Sequence, residues 1–182
     1  MKRISFEAFC NEWRKKLDTI WPEEEQFCIS ISNPFCRKKC RFCLYKSSIL
    51  SEDKYHRYYG EYLPTLIHRL ASILSMRIPD TVYFGGGTAS LMDVDTMHLV
   101  FNALPNLASA KYKCFEANPA SLTKEKIDVL AKYGFSEISL GVQTFDRKTL
   151  LSQNRELVSI QCISELVSYA SSQDIFVNID LL

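Results

Sequence analysis

An α/β fold built on a parallel sheet is predicted by three features of this sequence. Five short β-rich runs alternate with helical segments, polar or glycine-rich groups follow each run, and 47% of the residues are apolar. The alternation implies right-handed crossovers between parallel strands. The polar groups mark the rim where (β/α) barrels and open α/β sheets place their sites, and their recurrence after all five runs favours part of a barrel. The apolar share supplies a core for one domain in 182 residues.

Residues 3–19 carry Ile4, Phe6, Phe9, Trp13 and Leu17 at helical spacing among charged positions, which predicts a helical leader within residues 1–24. Residues 25–182 form the core. Cys28-Ile-Ser-Ile-Ser alternates apolar and polar residues as its first strand, and Asn33-Pro34 ends that strand just before a group of cysteines. A long helix follows from about Asp53 to Met76, kinked or divided by Pro64. Thr81-Val-Tyr-Phe is the second strand and runs into Gly85-Gly86-Gly87, after which Asp93 to Leu104 is helical. Tyr112 to Phe115 makes the third strand, Thr123 to Tyr133 a helix stopped by Gly134, and Phe135 to Val142 the fourth strand. A helix from about Glu156 to Ser171 leads to the last strand, Ile175 to Leu182. The chain stops in or directly after that apolar strand, which leaves a bare edge. The expectation is a core truncated at its carboxy-terminal side, without the part that closes a barrel.

Charge and composition exclude several functions. Lys and Arg number 22 against 21 Asp and Glu, a net charge of +1, so the chain lacks the cationic footprint of a nucleic-acid binder. Locally, Arg37, Lys38, Lys39 and Arg41 lie among cysteines, either as a solvated loop or as compensation for concentrated thiolate charge. Met1 to Leu17 contains no signal-peptide core, and no run approaches the roughly 20 apolar residues of a membrane span. A cytoplasmic protein without a membrane partner is expected. Seven cysteines, an odd count, do not form a disulfide framework, and a reducing compartment suits them better.

Cys36-Arg-Lys-Lys-Cys40-Arg-Phe-Cys43 gives the spacing C-x3-C-x2-C on a loop after a strand. Three thiolates so close can converge on one soft metal centre. A 4Fe–4S cluster held by three cysteines keeps one iron free of protein ligands. A structural zinc site closes its shell with a fourth ligand, for which Cys28, Cys114, His56 and His68 are the candidates. Cys10, Cys114 and Cys162 fall in helical or strand patterns that read as buried apolar positions, and His98 has no partner in the sequence.

This loop, with Phe42 just before its last cysteine, resembles the radical SAM superfamily. Tyr83-Phe-Gly-Gly-Gly-Thr88, Glu116-Ala-Asn-Pro119, Ser139-Leu-Gly-Val-Gln143-Thr-Phe-Asp146, Asn154-Arg155 and Asn178-Ile-Asp180-Leu then resemble, in order, successive motifs of its oxygen-independent coproporphyrinogen III oxidase-like branch. That branch includes haem chaperones and radical methyltransferases. The resemblance implies a partial (β/α) barrel of the radical SAM type, with Cys36, Cys40 and Cys43 as ligands of a 4Fe–4S cluster. The free iron would take up S-adenosylmethionine (SAM), and reductive cleavage would yield a 5′-deoxyadenosyl radical that abstracts hydrogen from a substrate. It places the methionine end of SAM against Gly85, Gly86 and Gly87, with Thr88 beside them, brings Glu116 near SAM, and assigns Arg155 to its carboxylate. It also implies ribose contacts for Asp180; the Gln143 amide is chemically suited to ribose hydroxyls, and Phe42 either packs on adenine or covers the cluster from solvent.

Each residue also has a structural reading. The glycines make a tight turn, Thr88 starts the next segment, Glu116 is a solvent-facing strand end, Gln143 satisfies loop backbone, and Arg155 is an exposed helix-terminal side chain. Asp180, on an apolar strand, needs a partner, either a ribose hydroxyl or a salt bridge. Expected partners are an electron donor such as flavodoxin or ferredoxin and a small-molecule or tetrapyrrole-like substrate. The sequence departs from the family at Ser30, Ser32, Tyr45, Ala89 and Leu157, so the resemblance covers the SAM machinery and not the porphyrin. The alternatives are a non-enzymatic zinc- or cluster-binding module and an inactive truncated product.

Overall fold

The computed structural model describes residues 5–20 and 25–182. Ile4 and the outer parts of the expected leader segment lie outside the described residues. The leader helix α1 (Phe6–Ile20) turns Phe6 and Cys10 toward α3 (Leu63–Leu74), with the Arg69 guanidinium 4.1 Å from the Phe6 ring centre. Five strands, β1 (Cys28–Asn33), β4 (Thr81–Gly86), β5 (Tyr112–Ala117), β6 (Glu137–Gln143) and β7 (Phe176–Leu181), form one parallel sheet in the order β1-β4-β5-β6-β7. A second, two-stranded piece pairs β2 (Phe35–Cys36) with β3 (Ser48–Ile49).

Register explains why the two faces of the sheet differ. Side chains alternate along a strand, so cross-strand partners share a face. Ile31, Phe84, Phe115, Ile138 and Val177 form one such row, and Ile29 and Val82 extend the same face. Phe84, Phe115 and Ile138 are almost wholly buried, and Phe101 and Phe135 join the two phenylalanines in an aromatic cluster of edge-to-face and tilted contacts. The opposite face carries Ser30, Tyr83, Cys114 and Glu137 in one row, and Glu116, Ser139 and Asn178 in another. One face makes the core, and the other is left for polar chemistry.

Helices follow the strands as the periodicity predicts, and side-chain caps set where they start. Asp93 accepts from Thr96 N (2.7 Å) to begin α4 (Val94–Ala103), and Thr123 accepts from Lys126 N (3.4 Å) to begin α5 (Lys124–Lys132). Three elements differ from the sequence reading. The long helix is split into α2 (Glu52–Tyr55), a π-helical stretch His56–Tyr62, and α3, because Pro64 has no N–H to donate and the turn before it widens. The helix expected from Glu156 begins at Ile160, since Ser159 accepts from Cys162 N (3.1 Å) and starts α7 (Ile160–Ser172) there. A short helix α6 (Arg147–Ser152), capped by Asp146, occupies part of the motif region before it.

Lys113 lies on the apolar face of β5 at 4% exposure. Its ammonium reaches past the core to the carbonyls of Leu107 (3.1 Å), Ala108 (3.3 Å) and Ala110 (3.0 Å), and burial lowers its pKa. That one side chain serves three carbonyls of the turn after α4, of which Leu107 O also accepts from Ala110 N (3.2 Å).

Candidate functional site

The polar face of the sheet ends in a cavity beyond the carboxyl ends of the strands. Cys36, Cys40, Cys43, Phe42, Gly86, Gly87, Thr88, Glu116, Gln143, Arg155 and Asp180 all line it. Gly85 does not. A Cβ there would meet Tyr83 Cε1 and Glu116 Oε2, each at 2.5 Å, so its missing side chain makes room for its own sheet. Gly86 (φ +99°) and Gly87 are pressed by protein as well: a Cβ would meet Ser32 Oγ at 2.5 Å in the first case and the Phe35 carbonyl at 2.5 Å in the second. Both readings of the triple glycine, the tight turn and the approach to a cavity, therefore apply to Gly86 and Gly87, and only the packing one to Gly85. The turn lets the chain after β1 lie against β4, while Gly86 and Gly87 still face the cavity.

Asn33 organises that junction. It is 4% exposed, and its amide donates to the carbonyls of Phe35 (2.9 Å) and Thr88 while its oxygen accepts from Phe35 N (3.3 Å) and the Tyr59 hydroxyl. The sequence marked Asn33 only as a strand end, and a polar residue beside buried Phe35 was the available signal.

Three attachments hold the cysteine loop. Ser48 N donates to Pro34 O (2.8 Å) and Leu50 N to Cys36 O (3.0 Å) at its base, Arg41 N donates to Gln153 O (3.1 Å), and the Asn154 amide donates to Lys39 O (3.0 Å). Cys36 is buried and its sulfur accepts from Thr88 Oγ1 at 3.6 Å. Cys40 is half-buried and accepts from Arg155 Nη1 at 3.5 Å. Cys43 is half-buried at the far end of the loop.

The Glu116 carboxylate is fixed by the Tyr83 hydroxyl and by Gly86 N (2.8 Å), rather than pointing freely to solvent. Burial, and then the Glu116 carboxylate, push the Tyr83 hydroxyl far up, so it stays protonated and remains a donor. Arg155 also donates from Nη2 to the Gly141 carbonyl. Gly141 lines the cavity and was not singled out from the sequence: a Cβ there would meet Arg155 Nη2 and Gln143 Nε2, each at 3.1 Å. Gln143 holds a left-handed backbone (φ +73°) at an irregularity in the β6–β7 pairing, uncommon for a residue with a side chain. Asp180 is half-buried and accepts from Ser139 Oγ (2.8 Å) and the Asn178 amide (2.8 Å), not from a salt-bridge partner among the described residues.

Among the described residues no three Cys, His, Asp or Glu side chains stand close enough together to hold a metal ion, so the thiols share a cavity without converging. The donor set fits a three-cysteine cluster. No fourth cysteine and no histidine is among the described residues lining the cavity. Cys28 is exposed at the other end of β1, Cys114 is buried within β5, and His56 and His68 are exposed on the helical segment. None of the four candidates closes a tetrahedral zinc shell. Burial pushes the Cys114 thiol up to about 12, which keeps it protonated and a poor ligand. Cys10 is buried as expected, and Cys162 is half-buried.

The model of the radical SAM superfamily matches residues 30–180, and the chain belongs to that superfamily. Individual relatives include coproporphyrinogen III oxidases and heme chaperones. The chain is 32% identical over 118 residues to the oxygen-independent coproporphyrinogen III oxidase of Paracoccus denitrificans, covering 62% of this chain and 26% of that one. It is 28% identical over 152 residues to the heme chaperone HemW of Buchnera aphidicola subsp. Acyrthosiphon pisum, covering 82% of this chain and 40% of that one. Among solved structures, coproporphyrinogen III oxidase (HemN) from Escherichia coli shares the fold with a TM-score of 0.78 at 24% identity, over 98% of this chain and 40% of that one. The chain thus spans less than half the length of these proteins. Among the described residues, no helix is long and apolar enough to cross a membrane.

Proposed function

We propose that the chain is a cytoplasmic radical SAM enzyme that holds a 4Fe–4S cluster on Cys36, Cys40 and Cys43 and SAM in the adjoining cavity. The observation that carries this reading is one cavity lined by three cysteines, without a fourth soft ligand among the described residues, and by Glu116, Gln143, Arg155 and Asp180. When bound, the cluster and SAM supply reductive cleavage of the sulfonium and a 5′-deoxyadenosyl radical for hydrogen abstraction.

The chain's own residues bind and orient. Glu116, held by Tyr83 and Gly86, presents a carboxylate acceptor to an ammonium. Arg155, held by Gly141, offers its guanidinium to a carboxylate and hydrogen-bonds the Cys40 sulfur. Asp180, oriented by Ser139 and Asn178, and Gln143 at the strand end are suited to ribose hydroxyls. Phe42 offers an aromatic face, and Gly86, Gly87 and Thr88 bring backbone close. The substrate is a small molecule, and the departures at Ser30, Ser32 and Tyr45 argue against assuming a porphyrin.

A second reading, a cluster-binding chaperone module without turnover, is favoured by the longer match to the heme chaperone HemW. Anaerobic reconstitution followed by iron and sulfide analysis and SAM binding by equilibrium dialysis tests the proposal. About four irons and one SAM per chain are expected, with Arg155→Met keeping the iron and weakening SAM binding at least about tenfold. Stoichiometric zinc, or iron without SAM binding, would overturn it.

A further inference from the structure

We infer that Thr88 raises the reduction potential of the cluster through a hydrogen bond to the Cys36 sulfur, an inference that rests on the cluster reading above. The three cysteines differ in what their sulfurs accept. Cys36 accepts from Thr88 Oγ1 (3.6 Å) and Cys40 from Arg155 Nη1 (3.5 Å), while no side chain among the described residues donates to the Cys43 sulfur. Thr88 stands at the N-cap of the single 3-10 turn Ala89–Leu91, where a threonine hydroxyl ordinarily accepts from a backbone N–H of the turn, as Thr123 does from Lys126 N. The Thr88 hydroxyl makes no such cap. It crosses instead to a cysteine on another loop, and the junction holds it there. Asn33 donates to the carbonyls of both Thr88 and Phe35, the residue before Cys36, and Gly87 N donates to Asn33 O (2.7 Å). One buried side chain thus ties together the two segments that carry donor and acceptor.

A hydroxyl that donates to a sulfur stabilises the charge state that places more negative charge on that sulfur. Gain of one electron increases the charge on the ligand sulfurs, so the Thr88 bond is stronger in the reduced state and raises the potential. Cys36 is only 8% exposed, and in such low-dielectric surroundings the bond counts for more than it would in water. The electron comes from the reductant, the proton stays on Thr88 Oγ1, and no covalent bond forms or breaks in this step. Arg155 acts on Cys40 in the same sense, but it also donates to Gly141 and, in the proposed function, meets the SAM carboxylate. Replacing Arg155 therefore changes two things at once. The Thr88 hydroxyl has no second partner among the described residues, and its replacement isolates the effect.

The test is a dye-mediated redox titration of anaerobically reconstituted chain without SAM, read by the cluster's visible absorbance and by EPR of the reduced state. Thr88→Val keeps the branched shape and removes the hydroxyl, and Thr88→Ser keeps the hydroxyl. At the wild-type midpoint potential, Thr88→Val is expected to lower the ratio of reduced to oxidised cluster at least about threefold, which at 59 mV per tenfold for one electron is a shift of about 28 mV. Thr88→Ser should stay within about 1.5-fold of the wild-type ratio. Thr88→Ala, too small to clash, repeats the measurement if Thr88→Val takes up less iron. A wild-type ratio in a fully loaded variant without the hydroxyl would overturn the inference. So would an equal fall in Thr88→Ser, or loss of iron from both Thr88→Val and Thr88→Ala, which would make Thr88 a requirement of assembly. Wild-type chain that takes up no four-iron cluster would instead defeat the cluster reading itself.

Discussion

Replacing Asn33 by alanine tests how the cysteine loop is built. The side chain makes four hydrogen bonds: to the Phe35 and Thr88 carbonyls, from Phe35 N, and from the Tyr59 hydroxyl. Truncation leaves those groups without their partner at a position only 4% exposed. At roughly 1 kcal/mol for each lost bond, and more for groups that water does not reach, the loss is about 3–5 kcal/mol. That is a large part of the roughly 5–15 kcal/mol that holds a typical domain folded. Asn33→Asp should cost a similar amount, because it keeps the acceptor but turns a carboxylate toward two carbonyls. Urea unfolding gives the stability, and iron per chain after reconstitution gives the effect on Cys36, three residues away. A loss under about 1 kcal/mol for Asn33→Ala would refute the role of this junction.

Further outcomes follow from the same structure. Cys36→Ala, Cys40→Ala and Cys43→Ala should each abolish cluster assembly while Cys10→Ala and Cys162→Ala spare it, as measured by iron content; equal loss from all five would contradict the site. Gly86→Ala meets both a positive φ and Ser32 Oγ, and Gly87→Ala meets the Phe35 carbonyl, so each should lower the unfolding free energy measured in urea by about 1–3 kcal/mol. Lys113→Met removes the donor to the Ala108 and Ala110 carbonyls, leaving Leu107 O only its bond from Ala110 N, and should cost about 2–3 kcal/mol in thermal or urea unfolding. Burial, more than the nearby Glu137 carboxylate, pushes Cys114 up to about 12. The folded chain therefore keeps a proton that the unfolded chain loses above the ordinary thiol range near 8.5. The stability Cys114 contributes is whole below that range and falls as pH rises toward the folded value, so Cys114→Ala should flatten the alkaline decline in urea midpoint.

Much of the fold was legible because the two periods are distinct. Alternation at Cys28–Asn33 and helical spacing at Lys124–Lys132 each name their element, and Asp93, Thr123 and Ser159 cap the helices that follow them. What escaped the sequence depends on tertiary fit. The π-helical stretch His56–Tyr62 shares the spacing of an ordinary helix, and only the missing N–H of Pro64 hints at it. The two-residue strands Phe35–Cys36 and Ser48–Ile49 are too short to show a period. The site residues were visible as motif members, but what each one touches was not. Gly85 looked equivalent to Gly86 and Gly87 until Tyr83 and Glu116 filled its side of the sheet. Gly141 looked incidental, yet Arg155 donates to its carbonyl and lies 3.1 Å from where its Cβ would stand.

In the proposed function, Cys36, Cys40 and Cys43 carry a cluster that cleaves SAM. This is tested most directly by incubating anaerobically reconstituted chain with dithionite and SAM and measuring 5′-deoxyadenosine by chromatography. The account predicts 5′-deoxyadenosine from the wild-type chain and none from Cys40→Ala. A chain that binds about four irons and SAM yet yields no 5′-deoxyadenosine would contradict it.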